Sequence, residues 1–571
     1  MSRNPRGHAT PRQPDRKRAT PDRAGSAPRR NGDEPADSVP RLWSLAIALF
    51  ALVVYLIQCA PVSGDKDSAE FTLVLALNSV AHPTGYPLFV LLGHVFVRFV
   101  HALGATWAYA GNAWAALGGG VAIYCLHRLA AALPPAATRL DRRARFLLAL
   151  LPVVLFAFNP VWTYETTLAE VYSWHIAWAL GTSLYFVRLM RALSAGQAPT
   201  ARQLYGRAAL WGLLCGVGGA HHATSIFVAA PLSIAILVVL ATRRRLGARL
   251  VATVLAATCV PLLSYGIIPW RATHPAVYQW PTLAPGFAGL LAHMSGSVYQ
   301  RMLGRFAPSP QQAGFLVAYV YPFLFPGLLL TLLNAVRSRA PGERVLQWGL
   351  AGAALLGTAY AFNYGAADPS SYFLQPMTLG LVAITPLLGP LVTGSRAARR
   401  VALACAVLFA VAGLVLSVPW LRIGQQRAGL WVAFDRQVHQ MWMAIQADSA
   451  IVFWSDDLHT KLLEYQFLRG EKPGLTVVHG LTLYQESVRN AFIRRHTFDP
   501  VAGIRLSPNP QNTPAAQEAG YREAIGAAES NVNRLTHLPV IHFDATPARP
   551  SLRLLLKPGA DSSAASIAQR R

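Results

Sequence analysis

Two carboxylates, Asp67 and Glu70, stand three residues apart just after the first long apolar run. On a helix that spacing puts both on one face. Such a pair at a membrane surface could hold a divalent cation, or one acid could take a proton from a hydroxyl while its neighbour raises its pKa. The plainer alternative is that they charge the first turn of a surface helix. The stretch FTLVLALNSV then leads into His82-Pro83-Thr84-Gly85-Tyr86-Pro87, in which stiff prolines flank a permissive glycine. A backbone that must turn sharply before the next helix has this make-up. His82 could donate to a phosphate or cap the turn.

Further polar residues recur at the edges of apolar runs. WTYETTLAEVYSWH carries Glu165, Glu170, Tyr172 and His175, and His221-His222 sit in a tight connection. Each is an interface anchor or a site residue. Adjacent histidines on a helix diverge by about 100°, so contact with a phosphate or sugar suits them better than joint ligation of one ion. The segment from Arg271 to Gly314 holds Trp280, His293, Tyr299 and Arg301, aromatic enough to stack on sugar rings or to form an interfacial belt. NYGAADPSSYF offers Asp368 and Tyr372, though its Asp-Pro step also reads as a helix start.

These groups need a scaffold. Of 571 residues, 53% are hydrophobic and 13% charged, against about a quarter charged in a soluble domain. The apolar excess must face lipid, and within lipid only helices satisfy the backbone here. The expected architecture is a polytopic α-helical membrane protein. Eleven spans are expected, near 42–62, 108–127, 146–163, 170–187, 206–220, 222–242, 250–270, 314–335, 345–363, 371–393 and 400–420. The run 84–103, with His94, Arg98 and His101, is expected to lie along the outer surface as a juxtamembrane helix. That choice leaves nineteen arginines between Arg128 and Arg400 on the inner side, against Lys66, Arg98, Arg271, Arg301 and Arg305 outside. Orientation follows: N-terminus in the cytoplasm, acid pair and C-terminal part outside. The net charge of +25 therefore marks orientation, not nucleic-acid binding.

Three parts are expected: a disordered basic tail (1–41), a transmembrane domain (42–421) and an extracytoplasmic α/β domain (422–571). The tail lacks the apolar core and small-residue cleavage site of a removable signal peptide. Strand, helix and strand are read at IVFWSDD, HTKLLEYQFLRG and LTVVHG, with a second unit at NVNRLTHLPVIHFD. The five cysteines all lie in apolar runs and support neither disulfides nor a zinc site.

Asp67-Ser68-Ala69-Glu70 followed by Ala81-His82-Pro83-Thr84-Gly85-Tyr86-Pro87-Leu88 resembles the signature of the membrane family known as domain of unknown function 2723, whose animal member is a protein O-mannosyltransferase. Asn112, Ala169 to Tyr172, Gly219 to His222, Trp280 to Tyr299 and Asp368 to Tyr372 extend the resemblance over roughly 60–380. It implies a GT-C glycosyltransferase architecture: an acidic motif in the first outer loop and a polyprenyl-phosphate-linked sugar as donor, transferred with inversion to a protein or glycan hydroxyl. The implied catalytic residues are Asp67 and Glu70. The implied substrate contacts are His82, Tyr86, Asn112, Glu170, Tyr172, His221, His222, Tyr299, Asp368 and Tyr372, and Arg271 is a further candidate contact for the donor phosphate. A divalent cation, where one binds, would sit on Asp67 and Glu70. The partners are the donor, the acceptor and the bilayer, and the expected location is a bacterial inner membrane. Two rivals are a secondary transporter, whose polar residues would lie near the midplane, and a noncatalytic scaffold with an outer binding domain.

Overall fold

The computed structural model describes residues 39–64, 67–135, 138, 140–194, 199–280, 283–366, 368–456, 458–506, 514–545 and 551–555; most of the expected N-terminal tail lies outside them. Apolar runs become helices because a helix satisfies its own backbone. Helix α1 (Arg41–Gln58) is followed by two short helices, α2 (Asp67–Leu77) and α3 (Pro87–Ala102). Then come α4 (Trp107–Ala132), α5 (Arg142–Phe156), α6 (Pro160–Thr167), α7 (Tyr172–Ser194), α8 (Ala201–His221), α9 (Ile226–Thr242), α10 (Ala248–Leu262) and α11 (Ile267–Thr273). After α12 (Gly286–Met294) the chain continues through α13 (Pro310–Tyr319), α14 (Tyr321–Arg337), α15 (Pro341–Ala361), α16 (Leu374–Val382), α17 (Ile384–Thr393) and α18 (Arg396–Ala444).

Each of the eleven segments expected to span is helical. Among the described residues, six helices are long and apolar enough to cross a membrane, or eight if the bent pairs α5–α6 (80°) and α13–α14 (51°) each count as one. The helices α7, α8 and α15 have the length but a less apolar composition. At 16 residues, α3 is too short for a hydrocarbon core that needs about 20. The texture change expected at 421/422 falls inside α18, one continuous helix of 49 residues. Charges return there, and although Pro419 and Gly424 lie beside that position the helix runs on through both.

The core centres on α4, whose small residues admit close neighbours on several sides. Between α8 and α10, Gly212 and Gly216 bring backbones together: a Cβ on either would lie 2.3 Å from a carbonyl oxygen of α10. One face of α18, including Leu403, Leu408, Leu414 and Val415, is exposed, as lipid contact requires.

Beyond α18 the chain forms β1 (Ile451–Phe453), α19 (His459–Arg469), β2 (Thr476–Val478), α20 (Glu486–His496), α21 (Pro514–Leu535), β3 (Val540–Asp544) and β4 (Ser551–Leu555). The sheet order is β2-β1-β3-β4, with β1 parallel to both neighbours and β4 antiparallel to β3. Leu463 of α19 belongs to the same apolar cluster as Phe71, Val74 and Leu75, so α19 packs directly on the acid-bearing α2.

Candidate active site

Asp67 and Glu70 occupy the first turn of α2, where the helix dipole favours negative charge. Their surroundings differ. The Asp67 side chain is 50% exposed, whereas that of Glu70 is 6% exposed. Buried, Glu70 needs partners, and the turn after α2 supplies them: the backbone N–H of His82 donates to its Oε1 at 2.7 Å and the imidazole Nδ1–H to its Oε2 at 3.0 Å. With Nδ1 carrying the proton, Nε2 accepts from the Tyr86 hydroxyl at 3.0 Å. Asp67 Oδ2 lies 3.8 Å from the same Nε2, close enough to feel its charge state but outside hydrogen-bond reach.

The turn has to bend sharply to do this. Gly85 takes φ 85° and Tyr86 φ 45°, and a left-handed non-glycine residue costs about 1–2 kcal/mol. The Tyr86 hydroxyl bond and Pro87 at the start of α3 offset that cost. Burial pushes the Tyr86 hydroxyl well above its ordinary value, so it stays a donor.

Distant segments close over this turn. His293 of α12 donates from Nε2 to the Ala81 carbonyl at 3.0 Å, and burial pulls its pKa down to about 4, which keeps the ring neutral. The backbone N–H of Trp280 donates to the Val80 carbonyl, and the Ser79 hydroxyl donates to the Tyr278 carbonyl. The Trp280 and Tyr299 rings stand 5.8 and 6.2 Å from His82. Trp280 Nε1–H is buried and has no hydrogen-bond partner among the described residues, leaving a donor beside the acid cluster.

Of the residues expected from the sequence, Asp67, Glu70, His82, Tyr86, Tyr299, His222, Tyr172 and Tyr372 form one connected group. His222 lies 5.4 Å from Tyr86 and 5.5 Å from Tyr172, which is 5.6 Å from Tyr372. Others are placed differently. Asn112 donates its amide to the Ala60 and Val62 carbonyls, so it holds the loop before α2. His221 donates Nε2–H to the Val171 carbonyl at 3.2 Å. Asp368 accepts from the Ser370 N–H and hydroxyl, which fits the helix-start reading. Glu170 is buried. The Arg271 guanidinium stacks 4.5 Å over Trp270, and no hydrogen bond or ring contact among the described residues joins it to the acid cluster. Absent from the expected site were Ser371, which hydrogen-bonds the Glu165 carboxylate, and Thr224, which bonds both His175 and His222. No local pattern marks either.

Among the described residues, Asp67, Glu70 and His82 are the set whose ligand atoms lie within 4.8 Å of one another, close enough for one divalent ion. Both nitrogens of His82 already have protein partners, however, so ligation through Nε2 would displace the Tyr86 hydroxyl.

Residues 67–246 match the family model described as the Protein O-mannosyl-transferase TMEM260 N-terminal domain. No curated protein sequence matches significantly. Among solved structures, the chain aligns with the archaeal oligosaccharyltransferase AglB from Archaeoglobus fulgidus in complex with an inhibitory peptide and a dolichol-phosphate. The TM-score is 0.46 at 15% identity, covering 74% of this chain and 63% of that one, so the chain spans a little under two thirds of that protein. It also aligns with ArnT from Cupriavidus metallidurans bound to undecaprenyl phosphate, at TM-score 0.47 and 12% identity, covering 88% and 94%. Over the matched stretch, which carries the acid pair, the sharp turn, Tyr172 and both adjacent histidines, the chain is similar to protein O-mannosyltransferases.

Proposed function

We propose that this protein is a membrane glycosyltransferase that moves a sugar, a hexose such as mannose, from a polyprenyl-phosphate donor to a hydroxyl on a protein or glycan. In this reading the reaction takes place on the outer face of a bacterial inner membrane, with the N-terminus in the cytoplasm and the part after α18 outside. The observation that carries it is the Asp67–Glu70–His82–Tyr86 network, built from the very turn that lies within the stretch similar to O-mannosyltransferases.

Asp67, half exposed, is the base: it takes the proton as the acceptor oxygen attacks the anomeric carbon. The bond from that carbon to the phosphate oxygen breaks, and the phosphate leaves with the electron pair on the opposite side, so the configuration inverts. Glu70 acts through His82, fixing its tautomer and its orientation. His222 and the Trp280 indole N–H are the donors nearest the cluster and would meet the developing negative charge on the phosphate, while both nitrogens of His82 stay engaged by Glu70 and Tyr86. Tyr172, Tyr299 and Tyr372 would flank the sugar. The isoprenoid tail belongs in lipid, since each buried CH₂ favours apolar surroundings by about 0.8 kcal/mol.

The test compares glycans and glycoproteins of the outer compartment by mass spectrometry in cells carrying the intact protein or the Asp67→Asn, Glu70→Gln variant at equal membrane abundance. The reading expects loss of a hexose-bearing species in the variant. Identical profiles would contradict it.

A further inference from the structure

The backbone carbonyls just before the acid helix are held one after another by side chains from elsewhere. Asn112 takes Ala60 (2.9 Å) and Val62 (3.2 Å), and the Thr106 hydroxyl takes Pro61 (2.6 Å). The last, Ser63, is taken by a residue almost four hundred positions away: Lys461 of α19 donates to the Ser63 carbonyl at 2.7 Å and to its hydroxyl at 3.0 Å. Lys461 is 0% exposed. A buried ammonium is tolerated only when paired and fully hydrogen-bonded, and Asp435 of α18 completes the set at 3.5 Å, itself fixed by the Tyr465 hydroxyl at 2.8 Å. The Ser63 hydroxyl in turn donates to Glu464 at 3.0 Å. Beside a lysine this serine looks like a nucleophile pair, but both residues are 0% exposed and its proton is committed to Glu464, so no substrate reaches it.

The chain of contacts continues into the site. The Gly64 N–H donates to the Ser68 hydroxyl at 3.1 Å, inside the first turn of α2 and between Asp67 and Glu70. A Cβ on Gly64 would lie 2.7 Å from the end of the Leu168 side chain, which would have to shift to admit it.

We infer that Lys461 is a positioning residue: through Ser63, Gly64 and Ser68 it fixes the first turn of α2, and with it the placement of Asp67, so the segment after α18 is part of the catalytic machinery's support. Its effect on rate rests on the transferase reading; its effect on the loop does not.

The experiment uses the full-length protein in nanodiscs, wild type against Lys461→Met and the milder Ser63→Ala, which keeps the carbonyl contact and serves if the first variant does not accumulate. Amide hydrogen exchange over 59–64 and 67–72 should quicken by about fivefold or more while 142–156 stays unchanged. With a polyprenyl-phosphate hexose that the wild type turns over, kcat should fall at least about tenfold for Lys461→Met, and KM for the donor should stay within about twofold. Unchanged exchange over 67–72 in both variants overturns the inference. So does quickened exchange with wild-type kcat in an active preparation. Quickened exchange in a protein whose wild type transfers no sugar would retain the tether and remove the transferase reading instead.

Discussion

At one end of α4 and α7 three arginines are anchored to backbone; at the other end titratable side chains are bonded mainly to one another. Arg128 and Arg145 are 1% and 3% exposed. Arg128 donates to the Val39 carbonyl, Arg145 to the Ala131 carbonyl, and Arg191 to the Ala132 and Leu133 carbonyls as well as to Glu343. The carbonyls of Ala131, Ala132 and Leu133 are the unsatisfied C-terminal acceptors of α4, where the helix dipole is negative. At that end these three cations each meet fixed carbonyl acceptors. At the site end, Glu70, His82 and Tyr86 share protons along one line, and Asp67 stands half exposed at its edge. Both ends bury polar groups at a cost, and the site end keeps a half-exposed carboxylate, Asp67, beside its buried network.

The contrast breaks if rate and stability do not separate between the two ends. Asp67→Asn should lower kcat by about 10²–10⁴ with the protein still in the membrane, measured by sugar transfer per folded molecule. Arg145→Met should do the reverse: about 1–3 kcal/mol of stability lost through orphaned carbonyls, read as a lower Tm in detergent, with kcat per folded molecule unchanged. Tyr86→Phe removes the donor to His82 Nε2 and leaves the ring in place. Its expected cost is about 1 kcal/mol in stability and a rate loss smaller than that of Asp67→Asn.

Glu464 sharpens the comparison by pH. Burial pushes its carboxyl up to about 8 from 4.5. Between those values the unfolded chain has lost the proton that the folded protein keeps, so stability should fall as pH rises from 4.5 to about 8 and level off above it. Glu464→Gln should flatten that slope in a Tm–pH series. The smallest effect is expected from chelation: since Tyr86 already occupies His82 Nε2, EDTA should change the transfer rate by less than about twofold.

The acid pair, the sharp turn, Tyr172, His222 and Tyr372 were legible because each sits at the edge of a long apolar run, where a polar group is conspicuous. The helices beneath them were legible for the same reason: hydrophobic length shows in one dimension. What could not be read is who meets whom across the fold. Trp280 and His293 reach the turn from some 200 residues on, and Lys461 reaches Ser63 across 398. No spacing rule links such positions. Asn112 was read as a substrate contact from the family resemblance, yet its amide N–H groups are committed to two carbonyls. The arginines at the C-terminal end of α4 were counted as orientation signals, and that count says nothing of their capping the last carbonyls of the helix.

In the proposed reaction Asp67, set beside the Glu70–His82 pair, drives sugar transfer from a lipid phosphate. Purified protein in nanodiscs, given a radiolabelled polyprenyl-phosphate mannose and a hydroxyl-bearing peptide, tests it directly. Label is expected on the peptide with wild type, and near-background label with Asp67→Asn of equal thermal stability. Equal labelling by the two proteins would contradict it.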